Sequence, residues 1–295
     1  MTDVANARAK RLLEILDLEQ IEQNLYLGSN ETSTPLRLFG GQVLSQAAMA
    51  AYRTVEGVHL HSLHGYFIRA GTTGRPVLYE VERIRDGRSF TTRRVVAIQN
   101  GEAIFNLDAS FQVAEPGFDH AHPMPNVPLP EELEDDVAVA HALQEKSPHL
   151  SPMAKIERPF EMRSVFRLGS DAWLQDRFHS PCWIRFRENV DDADQALARC
   201  LLAYASDMSL VSTGALPHQS EVPREDLQMA SLDHALWIHR DVPLDQWLLF
   251  HKRTSTAQGA RGMVHADFHA ENGQLVASVT QEGLLRVKAP QSSEK

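Results

Sequence analysis

The stretch DDADQALARCLLAYASDMSLV, residues Asp191 to Val211, holds the longest apolar run with helical spacing in the second half of the chain. This pattern predicts a helix that points into a core. The apolar run nevertheless finishes on Asp207, where a carboxylate faces the negative end of the helix dipole. An unpaired charge in apolar surroundings is costly as well. Either Asp207 turns out to solvent, or it is held at this position for chemistry.

The first half of the chain repeats the organisation of the second. FGGQVLSQAAMAAYRTV, residues Phe39 to Val55, predicts another buried helix, and strand-like segments follow it in both halves. Each half carries an Asn-Gly pair between alternating apolar runs, which is the strongest short signal for a β-hairpin. Aligning the halves pairs Asn100-Gly101 with Asn272-Gly273, His64 with His234, Phe67 with Trp237 and Gln112 with Gln281. The pattern predicts an α+β fold with two antiparallel curved sheets, each wrapped around a central helix.

The connector between the halves is rich in proline. Eight of the fifteen prolines lie between Pro116 and Pro159, together with the acidic run EELEDD. This composition predicts a surface linker with at most one short helix. We therefore expect a first domain at 1–115, a linker at 116–159 and a second domain at 160–290.

Composition excludes some partners and compartments. The 295 residues carry a formal net charge of −10, so a nucleic-acid partner is not expected, because phosphate binding needs a clustered basic surface. No segment is long and apolar enough to span a membrane, and the N-terminus lacks a signal-peptide pattern. The two cysteines, Cys182 and Cys200, have no metal or redox spacing. We expect a cytoplasmic protein without membrane insertion.

Several common catalytic and cofactor motifs are missing from the sequence. It has no G-x-S-x-G elbow, no phosphate-binding glycine loop and no dinucleotide fingerprint. The histidines at 59, 61, 64, 120 and 122 invite a metal site, but no carboxylate or cysteine pattern completes one. Packed or solvent-facing histidines are the favoured interpretation, and we expect neither a metal nor a cofactor.

Motifs along nearly the whole chain, from about Leu12 to Arg286, resemble one enzyme family. They are FGGQV, HSLHGYFIR, DGRSF, RRVVAIQNG, ASFQ, YASD, LDHALWIHR, TSTAQGARG and VTQEGLLR. In this order they are similar to the type II acyl-CoA thioesterases, the TesB-like double-hotdog enzymes. The resemblance implies hydrolysis of acyl-CoA substrates to fatty acid and CoA. It also implies a catalytic Asp at Asp207, a Gln at Gln281 and, where the family has Thr, a serine at Ser231.

The residues themselves suit this chemistry. A carboxylate, a hydroxyl and a side-chain amide can hold a water, with Asp207 as general base and Ser231 and Gln281 fixing the water by hydrogen bonds. A thiol of pKa about 8.5 leaves without a strong general acid. The developing oxyanion needs donors, either backbone N–H groups or the Gln281 amide. An enoyl-CoA hydratase and a non-catalytic acyl-CoA-binding protein remain alternatives on the same scaffold.

The two halves differ at the implied catalytic positions. The first-half helix contains no acid, His61 stands where Ser231 stands, and Gln112 persists alone. We therefore expect one working site per chain, and a homo-oligomer as is common for this fold. His234 is interpreted as structural, because His64 mirrors it in the other half. A solvated strand face is favoured over phosphate binding for four arginines, Arg69, Arg93, Arg94 and Arg261.

Overall fold

The two central helices predicted from the sequence are both present. The structure is a computed structural model that describes residues 2–30, 37–144, 158–166, 175–191 and 193–288. Helix α2 spans Gly40–Tyr52 and helix α4 spans Gln195–Ser206. Nearly every residue of α2 is buried, as its small side chains predict. Helix α4 begins at an Asp194 cap and ends at Asp207.

Strands follow each central helix. The described elements of the first half are α1 (Thr2–Leu16), β1 (Glu19–Glu22), β2 (Leu25–Gly28), α2, β3 (His59–Phe67), β4 (Val77–Asp86), β5 (Phe90–Gln99) and β6 (Glu102–Gln112). Those of the rest are α3 (Asp136–Gln144), β7 (Phe160–Ser164), β8 (His179–Phe186), α4, α5 (Leu210–Gly214), β9 (Leu227–Ser231), β10 (Asp233–Ile238), β11 (Leu248–Gln258), β12 (Arg261–Ala270) and β13 (Leu275–Val287). This repeated order confirms the predicted α+β organisation.

The two antiparallel sheets join edge to edge into one. Among the described residues the order is β1-β2-β4-β5-β6-β3-β10-β13-β12-β11-β8-β7, with β9 added on β13. Strands β3 and β10 pair antiparallel across the middle. Both predicted Asn-Gly turns connect hairpins, β5 to β6 and β12 to β13, and Asn100, Gly101 and Gly273 have the positive φ that such turns require.

The central helices lie side by side inside the curved sheet. The N-terminus of α2 meets the C-terminus of α4, and the rings of Phe39 and Tyr204 pack edge to face with centroids 4.9 Å apart. Gly41 permits this approach, because a Cβ at that position would lie 2.5 Å from the Tyr204 carbonyl oxygen. The packing therefore places the start of one helix directly against the end of the other.

The described parts of the linker, residues 116–144 and 158–159, contain α3 and a single 3-10 turn at Pro130–Glu132. The Trp183 indole donates a hydrogen bond to the Pro128 carbonyl at 2.9 Å, and Arg163 donates to the Pro130 carbonyl at 2.7 Å. These bonds attach the second part of the linker to the β7–β8 hairpin. Residues 145–157 of the predicted linker lie outside the described residues. No described helix has the length and apolarity needed to cross a membrane.

Arg93 differs from the solvated strand residue expected from the sequence. Its side chain is 1% exposed, and its guanidinium donates to the Thr54 hydroxyl at 2.8 Å and the Thr54 carbonyl at 3.1 Å. It also bonds the Arg85 carbonyl and the Asp86 carboxylate. Arg93 thus ties strand β5 to the residues that follow α2. Arg69, Arg94 and Arg261 are about half exposed, as expected.

Replacing Arg93 by leucine is expected to lower the free energy of unfolding by about 2–4 kcal/mol, because the buried Thr54 carbonyl loses its charged donor. Urea unfolding of the variant and the wild type measures the difference. The matched control is Arg94→Leu on the outer face of the same strand, where an exposed ion pair with Asp108 contributes little to stability. Equal effects of the two substitutions would contradict this assignment.

Candidate active site

The structure brings together the three side chains that the sequence singles out. Asp207 caps the C-terminus of α4, Ser231 ends strand β9, and Gln281 lies within β13. The Ser231 hydroxyl donates to Asp207 Oδ1 at 3.2 Å. The Gln281 amide nitrogen donates to Ser231 Oγ at 3.0 Å. The pairing of β9 with β13, which sets Ser231 opposite Gly283, creates this proximity.

The neighbouring helix stabilises the carboxylate at the end of α4. The Gly41 backbone N–H, in the first turn of α2, donates a hydrogen bond to the Asp207 carboxylate. The N-terminus of a 13-residue helix therefore faces the carboxylate and offsets the unfavourable dipole of α4. Gly40 is equally close, since a Cβ there would lie 2.7 Å from Asp207 Oδ2. Asp207 does not turn out to solvent, which answers the question that its position raises.

Burial sets the proton affinity of this carboxylate. Asp207 is 7% exposed, and desolvation raises its pKa to about 6 against the opposing hydrogen bonds from Ser231, Gln281 and Gly41. The group is therefore mostly ionised at neutral pH and still basic enough to accept a proton. A pKa close to the working pH is what general-base catalysis requires.

His234 belongs to the same cluster, although the sequence comparison assigns it to packing. Its Nδ1 lies 2.5 Å from Gln281 Oε1 and its Nε2 lies 2.8 Å from the Ser206 hydroxyl. Burial lowers the pKa of His234 to about 4, so the ring is neutral. The proposed mirror residue, His64, lies on the outer face and packs against Trp237. The signal that identifies His234 is the alternation along β10, where His234 shares the buried face with Leu236 and Ile238.

The register also changes the counterpart of Gln281 in the first half. Gln281 pairs with Val264 in the β12–β13 hairpin, and Ala109 pairs with Arg93 in the β5–β6 hairpin. Each hairpin has a bulge next to its Asn-Gly turn, and the two pairs lie the same number of residues away from these bulges. Ala109 therefore occupies the position that corresponds to Gln281, and Gln112 lies at the strand end. The first half consequently lacks the amide.

The histidines of β3 that invite a metal site have other surroundings. His61 Nε2 lies 2.8 Å from the Ser110 hydroxyl, and His59 and His64 are exposed. In the part of the chain that the structure describes, no group of three or more His, Cys, Asp or Glu side chains is arranged to hold a metal ion.

Comparisons with known proteins agree with this architecture. Residues 30–112 match the family model of the acyl-CoA thioesterase N-terminal domain, and residues 130–285 match that of the acyl-CoA thioesterase C-terminal domain. A protein of Alicyclobacillus acidocaldarius with a hotdog fold superposes with a TM-score of 0.76, covering 95% of this chain and 98% of that chain at 17% identity. This likeness identifies the fold alone.

Two relatives are closer in sequence. Acyl-coenzyme A thioesterase 8 of Mus musculus is 40% identical over 300 residues, which cover 97% of this chain and 92% of the mouse protein. The crystal structure of acyl-CoA thioesterase II TesB2 from Mycobacterium marinum is 38% identical with a TM-score of 0.78, and covers 97% of this chain and all of that chain. Models of one family match both halves, and these relatives span nearly the whole chain. This protein therefore belongs to the type II acyl-CoA thioesterases and is a double-hotdog acyl-CoA thioester hydrolase.

Proposed function

We propose that the chain hydrolyses fatty acyl-CoA by direct attack of a water molecule that Asp207, Ser231 and Gln281 hold. The observation that carries the proposal is the hydrogen-bonded group itself. A buried carboxylate receives donors from Ser231, Gln281 and the Gly41 N–H, and the surrounding sheet shields it from bulk water. A water beside Asp207 has a proton acceptor on one side and fixed dipoles on the other.

The reaction proceeds in two steps. The water oxygen bonds to the thioester carbon while its proton passes to Asp207, and the carbonyl electrons move onto oxygen. The tetrahedral intermediate then collapses, the carbon–sulfur bond breaks, and CoA leaves as a thiolate that takes up the proton. A thiol of pKa about 8.5 needs little acid assistance. The Gln281 amide nitrogen is already shared among Ser231, Asp207 and the proposed water, so we assign oxyanion stabilisation to backbone N–H groups.

The proposal includes one working site per chain. The C-cap of α2 is Arg53, so a cation bonded to Asp17 stands where α4 carries Asp207. At the other end of the helix pair, Asp194 caps its own helix by accepting the Leu197 N–H. The cleft at that end has a volume of about 530 Å³. It is lined by the Arg53–Asp17 pair and by Asp194, all of which already have partners. Its carboxylates are occupied, and Ala109 lies at the strand position that corresponds to Gln281.

We also propose that the protein forms a homo-oligomer through its sheets. Large apolar side chains are exposed on the outer face of neighbouring strands, including Tyr66, Ile84 and Phe90 at 63%, 45% and 41%. Exposed apolar surface of this kind is common where proteins contact one another. Light scattering after size-exclusion chromatography measures the mass, and a monomer at micromolar concentration contradicts the proposal.

Three further assignments stay proposals. We retain the division into domains at 1–115 and 160–290 joined by the linker at 116–159. We also retain a cytoplasmic location, which the two buried free thiols of Cys182 and Cys200 support. We infer that acyl-CoA alone is needed as partner for the reaction, without nucleic acid.

Hydrolysis in 18O-labelled water tests the mechanism. With enzyme in excess over a saturated acyl-CoA, we expect free thiol and fatty acid in equal amounts, and the acid of the first turnover should carry 18O. A water that attacks the acyl carbon delivers its oxygen to the product. Acid that carries no 18O, or 18O found in the peptide containing Asp207, would overturn direct attack in favour of a covalent acyl intermediate on the carboxylate.

A further inference from the structure

We propose that His234 is a positioning residue that fixes the amide orientation of Gln281, and thereby directs the hydrogen bonds around Asp207. The inference rests on the proposed catalytic roles of Asp207 and Gln281. His234 does not touch the place where a water would attack. It acts through the single contact between its Nδ1 and Gln281 Oε1.

The orientation of the Gln281 amide matters because its two ends have opposite chemistry. The nitrogen end donates to Ser231 Oγ and to the Asp207 carboxylate. If the amide turned over, its oxygen would face the carboxylate, and acceptor would oppose acceptor. Shape alone does not select between the two orientations, since the ends are nearly equal in size. A donor that faces Oε1 makes the selection.

His234 supplies that donor in one tautomer only. The ring is neutral because it is buried, so it has a single N–H. With that hydrogen on Nδ1, the ring donates to Gln281, and Nε2 accepts from the Ser206 hydroxyl. With the hydrogen on Nε2, Ser206 would donate instead to the Ala203 carbonyl, 2.8 Å away, and a bare Nδ1 would oppose Gln281 Oε1. The contact therefore favours the first arrangement.

The hydrogen bonds then form a chain with one direction. In this tautomer the Ser206 hydroxyl, which also contacts the Ala203 carbonyl at 2.8 Å, faces the bare Nε2 of His234. His234 donates to Gln281, Gln281 to Ser231 and Asp207, and Ser231 to Asp207. Three members, Ser206, His234 and Gln281, are between 0% and 1% exposed, so bulk water does not substitute for a missing donor. Losing the Nδ1 hydrogen removes the bond that holds the Gln281 oxygen in place, and whenever the amide turns, Asp207 loses one of its donors.

A pair of substitutions separates this role from packing. His234→Asn keeps an N–H donor near the Nδ1 position, whereas His234→Leu has similar branching and no donor. We expect the leucine variant to lose about 10²-fold in kcat with KM within about threefold of the wild type. The asparagine variant is expected to keep kcat within about tenfold. Hydrolysis of a saturated acyl-CoA, followed by thiol release, provides both parameters.

The pH profile adds a readout that packing alone does not move. Asp207 is the titrating group, and the groups bonded to its carboxylate are Ser231, Gln281 and the Gly41 N–H, all uncharged. The nearby Asp233 carboxylate accepts the Glu282 N–H instead. Loss of the Gln281 donor raises the pKa of Asp207, so the acid limb of kcat should move to higher pH in His234→Leu. It should stay near the wild-type position in His234→Asn.

Controls distinguish the possible failures. Gln281→Ala is measured in parallel, and if it retains wild-type kcat, the proposed site and this inference are both wrong. If Gln281→Ala loses activity while the two His234 variants have equal kcat and equal acid limbs, this inference alone is overturned. The buried His269, substituted by the same two residues, should show no such split. Binding of a non-hydrolysable thioether analogue verifies that each variant is folded. If His234→Leu does not fold, His234→Gln takes its place, because the glutamine amide reaches toward Ser206.

Discussion

Replacing Asp207 by asparagine is expected to lower kcat by about 10²-fold or more, because the amide keeps the size of the carboxylate and cannot accept the proton of the attacking water. Thiol release from saturated acyl-CoA esters measures the loss. The matched control is Asp233→Asn, two residues beyond Ser231, where the carboxylate accepts the Glu282 N–H. That control should remain within about threefold of the wild type. Equal activity of the Asp207 variant and the wild type would place the catalytic base elsewhere.

The raised pKa of Asp207 makes both the activity and the stability of the protein depend on pH. In the wild type, kcat should fall as the pH drops through about 6, since protonation of Asp207 removes the base. The raised pKa also opposes folding at neutral pH, because the folded state binds the proton more tightly than the unfolded chain. That penalty disappears as the pH falls from about 6 toward the ordinary value of 3.8. Asp207→Asn removes this penalty. The difference between a pKa of about 6 and the ordinary value of 3.8 corresponds to about 3 kcal/mol.

Urea unfolding near neutral pH checks the stability consequence. We expect the asparagine variant to gain about 1–2 kcal/mol in free energy of unfolding, less than the full penalty, because its amide nitrogen faces one of the donors from Ser231 or Gly41. The gain should shrink as the pH is lowered below about 5. A variant that is both less active and less stable at neutral pH would contradict a functional strain at this carboxylate.

Local features of the fold follow from the sequence with good accuracy. The apolar runs that become α2 and α4 carry their own period and small residues, and the Asn-Gly pairs carry their own turn geometry. Each of these signals lies within a few neighbouring residues, so no tertiary contact is needed to interpret it. The proximity of Asp207, Ser231 and Gln281 does not follow in this way. It enters through the family resemblance, since the three positions are joined only by the folded sheet.

Strand register is where sequence reasoning fails. Successive side chains of a strand point to opposite faces, so a shift of one residue exchanges the buried and exposed sets. Aligning His64 with His234 makes that shift, and it hides the contact between His234 and Gln281. Bulges next to both hairpin turns similarly hide the match of Ala109 to Gln281. Arg93 is missed because its partner, Thr54, comes from a distant helix end.

The approach of α2 to Asp207 is the feature least visible in the sequence, and it leads to the second large effect. A Cβ at Gly40 would lie 2.7 Å from Asp207 Oδ2 and 2.9 Å from the Phe67 ring. The carboxylate cannot move aside without losing donors from Ser231 and Gly41. Gly40→Ala is therefore expected to lower kcat by about 10- to 100-fold, through displacement of the general base.

Alanine has a higher helix propensity than glycine. A loss of activity in Gly40→Ala would therefore come from the steric contact of the new Cβ and not from a weaker helix. In an open helix position, Gly→Ala stabilises by up to about 1 kcal/mol, so the free energy of unfolding of Gly40→Ala should change little. Gly41→Ala is the informative neighbour, because its Cβ would meet the Tyr204 carbonyl at 2.5 Å and force the two helices apart. That variant should lose activity and also about 1–3 kcal/mol of stability.

Gly117→Ala is the matched control, since nothing lies within 4 Å of a Cβ placed there. Thiol release and urea unfolding of the three variants separate the two mechanisms. Gly40→Ala should lose activity alone, Gly41→Ala should lose both activity and stability, and Gly117→Ala should lose neither. Full activity of Gly40→Ala would mean that the carboxylate tolerates displacement. The close contact between Asp207 and the N-terminus of α2 would then have no part in catalysis.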